Sequence, residues 1–139
     1  MNRLLGTIIA IESNEHLSLV DVVAGQDNFT AMLMETPQNA PYLKVGNTVA
    51  VLFKETEVSL AKNLSGELSL RNRIKGTVQQ IRCGDILCEV VLDCDGQALT
   101  SIITTRAMKR LELQKGDEVV ALVKANEVSL MEISQSEGY

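Results

Sequence analysis

Residues 72–78 read Asn-Arg-Ile-Lys-Gly-Thr-Val, and they repeat the motif Asn-Arg-Leu-Leu-Gly-Thr-Ile found at residues 2–8. A second pair of motifs has the same spacing: Lys-Glu-Thr-Glu-Val-Ser-Leu at 54–60 returns as Lys-Ala-Asn-Glu-Val-Ser-Leu at 124–130. A constant offset at both ends of a unit indicates two copies of one small module, each of roughly 65 to 70 residues. Two copies make a tandem pair and not a solenoid.

Each copy is predicted to be a domain, the first at 1–62 and the second at 67–133, with a frayed tail at 134–139. β-Branched residues are frequent in both copies, and turn residues such as Gly84-Asp85 and Asp95-Gly96 separate the apolar runs. The runs predict five strands in each copy. These are 3–12, 16–24, 28–34, 47–54 and 56–60 in the first copy, and 73–82, 86–94, 97–104, 117–124 and 126–132 in the second.

A short helical turn is predicted between the third and fourth strands of the second copy. Thr105 is a candidate N-cap there, and Met108 and Leu111 follow at helical spacing. The matching stretch of the first copy, 36–41, contains two prolines and is a poorer helix former. Five strands with a helical turn after the third is the order of an OB-like barrel. The sequence therefore predicts an all-β protein of two tandem OB-like five-stranded barrels, each with a short helical turn.

Bulk composition narrows the range of functions. The chain has 139 residues, of which 45% are hydrophobic but only 3% aromatic, and its formal net charge is −5. An acidic chain with few aromatic rings is a poor binder of nucleic acid or anionic lipid. No apolar run is long enough to span a bilayer and no signal-peptide pattern is present, so we expect a cytoplasmic protein without a membrane partner. Modules this small bury little surface alone, which favours a homo-oligomer.

Neither the cysteines nor the histidine predicts catalysis. Cys83, Cys88 and Cys94 all lie in the second copy, and an odd number without Cys-x-x-Cys spacing fits neither a disulfide framework nor a zinc site. We expect them to be small, buried side chains in a reducing compartment, with no bound metal. The single histidine, His16, has no apparent nucleophile or partner, so we expect no enzyme activity.

A set of cationic and hydroxylic residues is suited to binding an anion. Ser69 and Arg71 are two residues apart, so they point to the same side of an extended segment. Lys124 ends an apolar strand, where its ammonium must reach water or meet an anion. Thr104 closes the third strand, where the helical turn begins and unpaired N–H groups gather. If these places converge, they suit a doubly charged tetrahedral oxyanion; if not, they are ordinary solvated side chains.

Residues 69–78, Ser-Leu-Arg-Asn-Arg-Ile-Lys-Gly-Thr-Val, resemble the opening of a Mop domain, the small molybdate-binding module with the pattern Ser-Ala-Arg-Asn-x-x-x-Gly-x-Val. The likeness continues through 88–90, 102–104 and 113–119. It ends at 123–128, Val-Lys-Ala-Asn-Glu-Val, which is similar to the family's Lys-Ala-x-x-Val. The two copies together resemble tandem Mop (TOBE-like) proteins, which include cytoplasmic storage-type molybdate-binding proteins and the effector half of molybdate-responsive regulators.

The resemblance implies a site for molybdate or tungstate, without an organic cofactor, at interfaces between modules of associated chains. On one side of the site it implies Ser69 and Arg71. On the other it implies Thr104, Lys124 and the backbone N–H of Ala125. Asn72 and Lys54 are weaker candidates.

The first copy departs from the family pattern. Met1, Met34 and Glu55 stand where the motif has its arginine, threonine and alanine, and Glu55 places a competing carboxylate beside Lys54. The first module is therefore expected to be mainly structural. The family's second kind of site, around a threefold axis, uses a turn that here reads Gly-Asp-Ile-Leu at 84–87. Its carboxylate would repel an anion, so no such site is expected.

The leading hypothesis is a non-enzymatic oxyanion binder for intracellular molybdenum storage, homeostasis or sensing. The alternative is an assembly or interaction module of a molybdate transport or regulatory complex, without tight ligand binding of its own. A binder of single-stranded nucleic acid is disfavoured by the acidic, aromatic-poor composition. The sequence does not decide whether the anion is molybdate or tungstate, or whether the protein stores or senses it. It also does not decide between a dimer, a trimer and a hexamer.

Overall fold

The computed structural model of the chain describes residues 1–133, so the predicted tail at 134–139 lies outside the described residues. The elements are β1 (Asn2–Ser13), β2 (Ser18–Ala24), β3 (Asp27–Leu33), β4 (Thr48–Phe53), β5 (Ser59–Ala61), β6 (Asn72–Cys83), β7 (Leu87–Cys94), β8 (Gln97–Thr104), α1 (Thr105–Leu111), β9 (Glu118–Val123) and β10 (Ser129–Glu132). The all-β class and the two OB-like five-stranded sheets are confirmed. The predicted helical turn of the second copy is α1. The first copy has only a turn there, closed by the Ala40 N–H donating to the carbonyl of Thr36 at 2.8 Å.

The strands form two compact units that do not coincide with the two sequence repeats. Unit 1 contains Met1–Phe53 and, of the described residues, 124–133, and its sheet has the order β10-β4-β1-β2-β3. Unit 2 contains Lys54–Val123, and its sheet has the order β5-β9-β6-β7-β8. Each repeat therefore supplies four strands to one unit and its fifth strand to the other. The repeat boundaries 1–62 and 67–133 remain a prediction from the sequence pattern.

The swapped fifth strands occupy equivalent registers. Leu130 of β10 pairs with Val51 of β4, and Leu60 of β5 pairs with Ala121 of β9. Because β4 and β9 are equivalent strands of the two repeats, either fifth strand meets the same kind of edge, and such swaps cost little.

A 3₁₀ turn precedes each fifth strand, at Glu55–Glu57 and Ala125–Glu127. Each turn is closed on the preceding lysine: the N–H of the turn's last residue donates to the carbonyl of Lys54 at 3.0 Å and of Lys124 at 2.9 Å. The predicted starts of the fifth strands, at 56 and 126, were therefore too early, because these residues belong to the turns.

The glycine that both copies of the opening motif contain is required for steric reasons, because a side chain there would collide with the neighbouring strand. A Cβ at Gly6 would lie 2.5 Å from Cγ1 of Val22, and a Cβ at Gly76 would lie 2.8 Å from Sγ of Cys94. Two residues further on, both long strands have an irregular register against their hairpin partners. The glycine therefore lets the neighbouring strand approach closely just before the long strand bends.

The cysteine prediction is wrong for one pair. Cys83 and Cys88 are directly opposed across β6 and β7, with Cα atoms 4.0 Å apart, and they form a disulfide. Cys83 is exposed, whereas Cys88 and Cys94 are buried, as expected. The five-residue separation gives no framework pattern in the sequence, but a hairpin register places the two side chains face to face.

Lys62 anchors the start of the segment between β5 and β6. Its Nζ donates to the carbonyls of Leu111 and Glu112, both at 3.1 Å, where α1 ends and unpaired carbonyls favour a cation. Nζ also pairs with Asp117 at 3.2 Å. The backbone N–H of Gln114 and then Lys62 hold the pKa of Asp117 below its usual range. The start of the segment that carries Ser69 and Arg71 is thus fixed within unit 2.

Because the fifth strands are exchanged between the two units, we expect substitutions at matching positions of the two repeats to destabilise different units. Val128 belongs to unit 1 and Val58 to unit 2, and each is 2% exposed. Val128→Ala and Val58→Ala should each cost about 2 kcal/mol, through lost methyl burial and the cavity left behind. Amide hydrogen exchange should accelerate in β1 and β4 for Val128→Ala, and in β6 and β9 for Val58→Ala. Faster exchange of β6 and β9 in Val128→Ala would contradict the swap.

Candidate functional site

Ser69 and Arg71 lie in the segment that leads into β6, and both are exposed. They line one surface pocket of about 550 Å³, whose other lining residues are Gly66, Glu67, Leu68 and Arg73. The structure therefore places a hydroxyl and a guanidinium at the same opening. Glu67 is the carboxylate in this lining, so an entering anion is favoured only where the cations outweigh it.

Arg73 orders the segment that forms this pocket. Its Nε donates to the carbonyl of Leu70 at 2.9 Å, and its Nη2 donates to the carbonyl of Leu68 at 2.8 Å. The guanidinium fork thereby fixes the backbone on either side of Ser69. Arg73 is not among the residues predicted from the sequence; the available signal was its spacing of two from Arg71, which places both side chains on one face of an extended chain.

The first residue of β6 and the last residue of β9 are paired beside this pocket. Asn72, the first residue of β6, pairs with Val123, the last residue of β9. Arg71 directly precedes this pair and Lys124 directly follows it. Asn72 is 1% exposed, and its place as a weaker candidate ligand stays a prediction. The convergence of the side chains of Arg71 and Lys124 stays a prediction.

Lys124 and Ala125 begin the second 3₁₀ turn. Lys124 is exposed and extended, with φ −70° and ψ 143°, and Ala125 is half-buried. The first amides of such a turn have no partner inside it, so the N–H of Ala125 is suited to an external acceptor. Lys54 occupies the same place before the first turn and is also exposed. There the next residue is Glu55, whose carboxylate disfavours an anion.

Thr104 is the N-cap of α1, which corrects the prediction that Thr105 caps this helix. The Oγ1 of Thr104 accepts the N–H of Ala107 at 3.0 Å, and Thr104 is exposed. Thr105 is buried; its hydroxyl donates to the carbonyl of Gly84 at 2.9 Å and its N–H to the carbonyl of Ile86 at 2.7 Å. A hydroxyl that accepts a hydrogen bond keeps its own O–H as a donor. Thr104 can therefore still donate to an anion.

Within unit 2, Thr104 is the last residue of β8 and lies near the end of β6, whereas Ser69 and Arg71 lie before the start of β6. It pairs with Leu87, the first residue of β7, next to the end of β6 at Cys83. Ser69 and Arg71 precede the opposite end of this 12-residue strand. A single unit thus does not bring Thr104 to the pocket of the other two.

Three further kinds of feature concern residues 1–133: a metal site, a membrane-spanning helix and a catalytic histidine. In this range no group of three or more histidine, cysteine, aspartate or glutamate side chains is placed to hold a metal ion. None of the helices in the same range is long and apolar enough to cross a membrane. His16 is exposed in the turn between β1 and β2, where its backbone N–H donates to Oδ1 of Asn14 at 2.8 Å.

Several known proteins resemble this chain in sequence or in structure. The TOBE domain matches residues 68–130. The molybdenum transport protein ModE of Herbaspirillum seropedicae is 32% identical over 127 residues, which cover 89% of this chain and 47% of that protein. Molybdenum-pterin-binding protein 1 of Clostridium pasteurianum is 35% identical over 65 residues, 46% of this chain and 96% of that protein. The structure of the cytoplasmic molybdate-binding protein ModG with molybdate bound superposes with a TM-score of 0.89 and 32% identity, covering 95% of this chain and 96% of that one.

Two OB-like units and a TOBE match define this protein as a tandem TOBE-type β protein. The chain belongs to the Mop family, as its likeness to whole Mop-type proteins shows, and the resemblance drawn from the motifs is confirmed. The chain spans less than half the length of several longer curated relatives: 47% of the Herbaspirillum ModE and 31% of the ATP-binding protein ModC of Rhizobium etli.

Proposed function

We propose that this protein binds molybdate, or the similarly shaped tungstate, without catalysing a reaction, and that it stores or senses the anion in the cytoplasm. The observation that carries the proposal is the pocket holding Ser69 and Arg71, ordered by Arg73, in a family member. The ModG structure, similar over nearly the whole chain, has molybdate bound. The pocket combines a guanidinium and a hydroxyl, which together suit a tetrahedral oxyanion.

The remaining ligands come from the segments that the family pattern marks. Lys124 supplies a second cation and Ala125 a backbone N–H. Within one unit, the length of β6 separates Thr104 from the pocket. In our proposal Thr104 therefore reaches the site from a neighbouring protomer. A homo-oligomer is therefore part of the proposed function, and the site is incomplete without it.

The first module is proposed to be structural. Met1 replaces the arginine and is 66% exposed, while Met34 replaces the threonine and is 80% exposed. Neither thioether carries a charge or donates a hydrogen bond, so this module lacks the donors that a doubly charged anion needs. Lys54 alone, beside Glu55, does not form a site.

Selectivity over sulfate is proposed to come from size. Molybdate and sulfate have the same charge and the same tetrahedral shape, so electrostatic attraction alone does not separate them. A site whose donors are spaced for the larger anion holds the smaller one with longer, weaker hydrogen bonds. Nucleic acid is not a proposed partner, because the acidic chain would repel phosphate backbones.

One observation favours the second candidate, an assembly module within a molybdate transport or regulatory complex. Leu19 of β2 and Met32 of β3 are directly paired, yet they are 39% and 40% exposed. Leu17 and Met34 lie next to them and are also exposed. Exposed apolar side chains grouped on two neighbouring strands are consistent with an interaction surface, which is what the second candidate needs.

Native mass spectrometry with and without added molybdate tests the proposal. We expect a homo-oligomer that gains the mass of bound oxyanion at micromolar ligand, and calorimetric titration with sulfate as competitor should show weaker sulfate binding. An oligomer whose mass and heat do not respond to molybdate or tungstate would reject the proposal and favour the assembly module. Salt-sensitive binding of an oligonucleotide would reject both.

A further inference from the structure

The turn between β6 and β7 carries a disulfide that the proposed oxyanion site does not use. Cys83 and Cys88 flank the turn, with Cα atoms 4.0 Å apart. The two ends of the bond differ in access: Cys83 is exposed, whereas Cys88 is fully buried at 0% exposure. A reductant can therefore reach the sulfur of Cys83 from solvent, while Cys88 faces the interior of unit 2.

The disulfide closes a turn that is bonded to the start of α1. Thr105 holds this turn with its hydroxyl on the carbonyl of Gly84 and its N–H on the carbonyl of Ile86. The Oγ1 of Thr105 also lies 3.4 Å from the Sγ of Cys88. Thr104, the residue before Thr105, is the N-cap of α1 and a proposed ligand. The order of this turn is thus coupled directly to the position of Thr104.

The first repeat contains the same hairpin without sulfur. Ser13 and Ser18 are directly opposed across β1 and β2, and their hydroxyl oxygens are 2.9 Å apart. The hydrogen bond that closes the turn is the same in both hairpins: the N–H of Gly84 donates to the carbonyl of Leu87 at 2.8 Å, and the N–H of Asn14 donates to the carbonyl of Leu17 at 3.0 Å. A hairpin of this geometry therefore folds without a covalent bond, so fold formation does not require Cys83 and Cys88.

We infer that Cys83 and Cys88 form a reversible thiol–disulfide site that sets how firmly the turn at 84–87 and the N-terminus of α1 are held. Disulfides in a reducing compartment are typically transient and regulatory, not structural. The oxidised form holds Thr104 in place and the reduced form loosens it. The consequence for oxyanion affinity rests on the proposed function, because it requires Thr104 to be a ligand.

The chemistry is thiol–disulfide exchange with a low-molecular-weight thiol such as glutathione. The thiolate attacks Sγ of Cys83, the S–S bond breaks, and Cys88 leaves as a thiolate that takes up a proton. A second thiolate attacks the low-molecular-weight sulfur of the mixed disulfide, and Cys83 leaves as a thiolate that takes up a proton. Two thiols are oxidised to one low-molecular-weight disulfide while the protein disulfide gains two electrons, and the reverse sequence restores the bond.

The test equilibrates the full chain in glutathione buffers of graded redox poise. Trapping of free thiols by alkylation should show two thiols appearing together in a single transition, located at 83 and 88 by peptide mass spectrometry. Amide exchange at Gly84 and Thr105 should speed up at least about tenfold on reduction, as expected for loss of local protection. Asn14, the donor at the matching place in the first hairpin, is the internal control and should not change.

Calorimetric titration with molybdate completes the test. We expect the oxidised chain to bind about fivefold more tightly than the reduced chain, the low end of usual coupling between sites. The double variant Cys83→Ala, Cys88→Ala can form neither the disulfide nor the hydroxyl contact of the first hairpin; it should keep the native circular dichroism and bind like the reduced chain under all redox conditions.

The outcomes separate the inference from the proposed function. No disulfide at any poise, or equal exchange at Gly84 and Thr105 in both redox states, overturns the inference. Equal molybdate affinity in both states, with binding present, overturns the link to Thr104 and leaves the proposed function standing. Absence of molybdate binding in both states overturns the proposed function, while the alkylation and amide exchange still decide the redox site.

Discussion

Replacing Arg71 by alanine is expected to weaken molybdate binding by about tenfold to more than a hundredfold, since losing one charge-assisted hydrogen-bonding group costs roughly 1.5–3 kcal/mol. Arg71 is exposed and lines the pocket with Ser69, so its removal leaves the fold intact. Arg71→Lys should recover part of the loss, because an ammonium keeps the charge but not the planar fork. Isothermal titration calorimetry measures all three affinities.

The matched control is Arg110→Ala, which makes the same charge change at another exposed arginine, in the last turn of α1. It should leave molybdate affinity within about a factor of two, because Arg110 is not among the proposed ligands and an exposed, screened charge contributes little. Lys124→Ala should resemble Arg71→Ala. Unchanged affinity in both Arg71→Ala and Lys124→Ala would reject the site. An equal loss in Arg110→Ala would mean that net charge, and not a specific pocket, governs binding.

Phe53→Ala is expected to produce the largest loss of stability, about 3–5 kcal/mol in the free energy of unfolding, because a large buried ring leaves a cavity. Phe53 is 1% exposed at the end of β4, and its ring centroid lies 6.1 Å from that of Phe29, also 1% exposed. Removing one ring therefore also removes an aromatic contact. Urea unfolding followed by circular dichroism measures the change.

The second repeat supplies the control for this core. At the places of Phe29 and Phe53 it has Leu99 and Val123, which are buried in unit 2. The double variant Phe29→Leu, Phe53→Val therefore installs a pair that a homologous barrel already packs, and it should lose clearly less than Phe53→Ala, because much of the volume is kept. A loss of less than about 1 kcal/mol for Phe53→Ala would contradict a close-packed core at this point.

Much of the fold was predictable because its signals are local. The Asn-Arg…Gly motif recurs in both repeats, and the structure shows that a Cβ at Gly6 or Gly76 would collide with the neighbouring strand. The predicted helical turn at 105–111 is confirmed as α1. The cap was assigned one residue late, to Thr105 instead of Thr104, because two adjacent threonines are equivalent in sequence and only hydrogen bonding distinguishes them.

The candidate site was predictable only in part. Spacing placed Ser69 and Arg71 on one side of an extended segment, and the structure brings them into one pocket. Arg73 was missed because its role depends on which carbonyls the folded segment presents to it. Thr104 was predicted on the other side of a site between associated chains; it ends β8, near the end of β6 that is opposite to Ser69 and Arg71, and its part in the site stays a prediction.

By itself, the sequence determined two copies of one five-stranded module and the helical turn of the second copy, since periodicity and turn chemistry act over a few neighbouring residues. Only the tertiary structure decided which sheet each fifth strand joins, because β4 and β9 offer equivalent edges. It also decided that Cys83 meets Cys88, since their pairing depends on the register of a hairpin. Both choices depend on how segments meet in space, which no short stretch of sequence encodes.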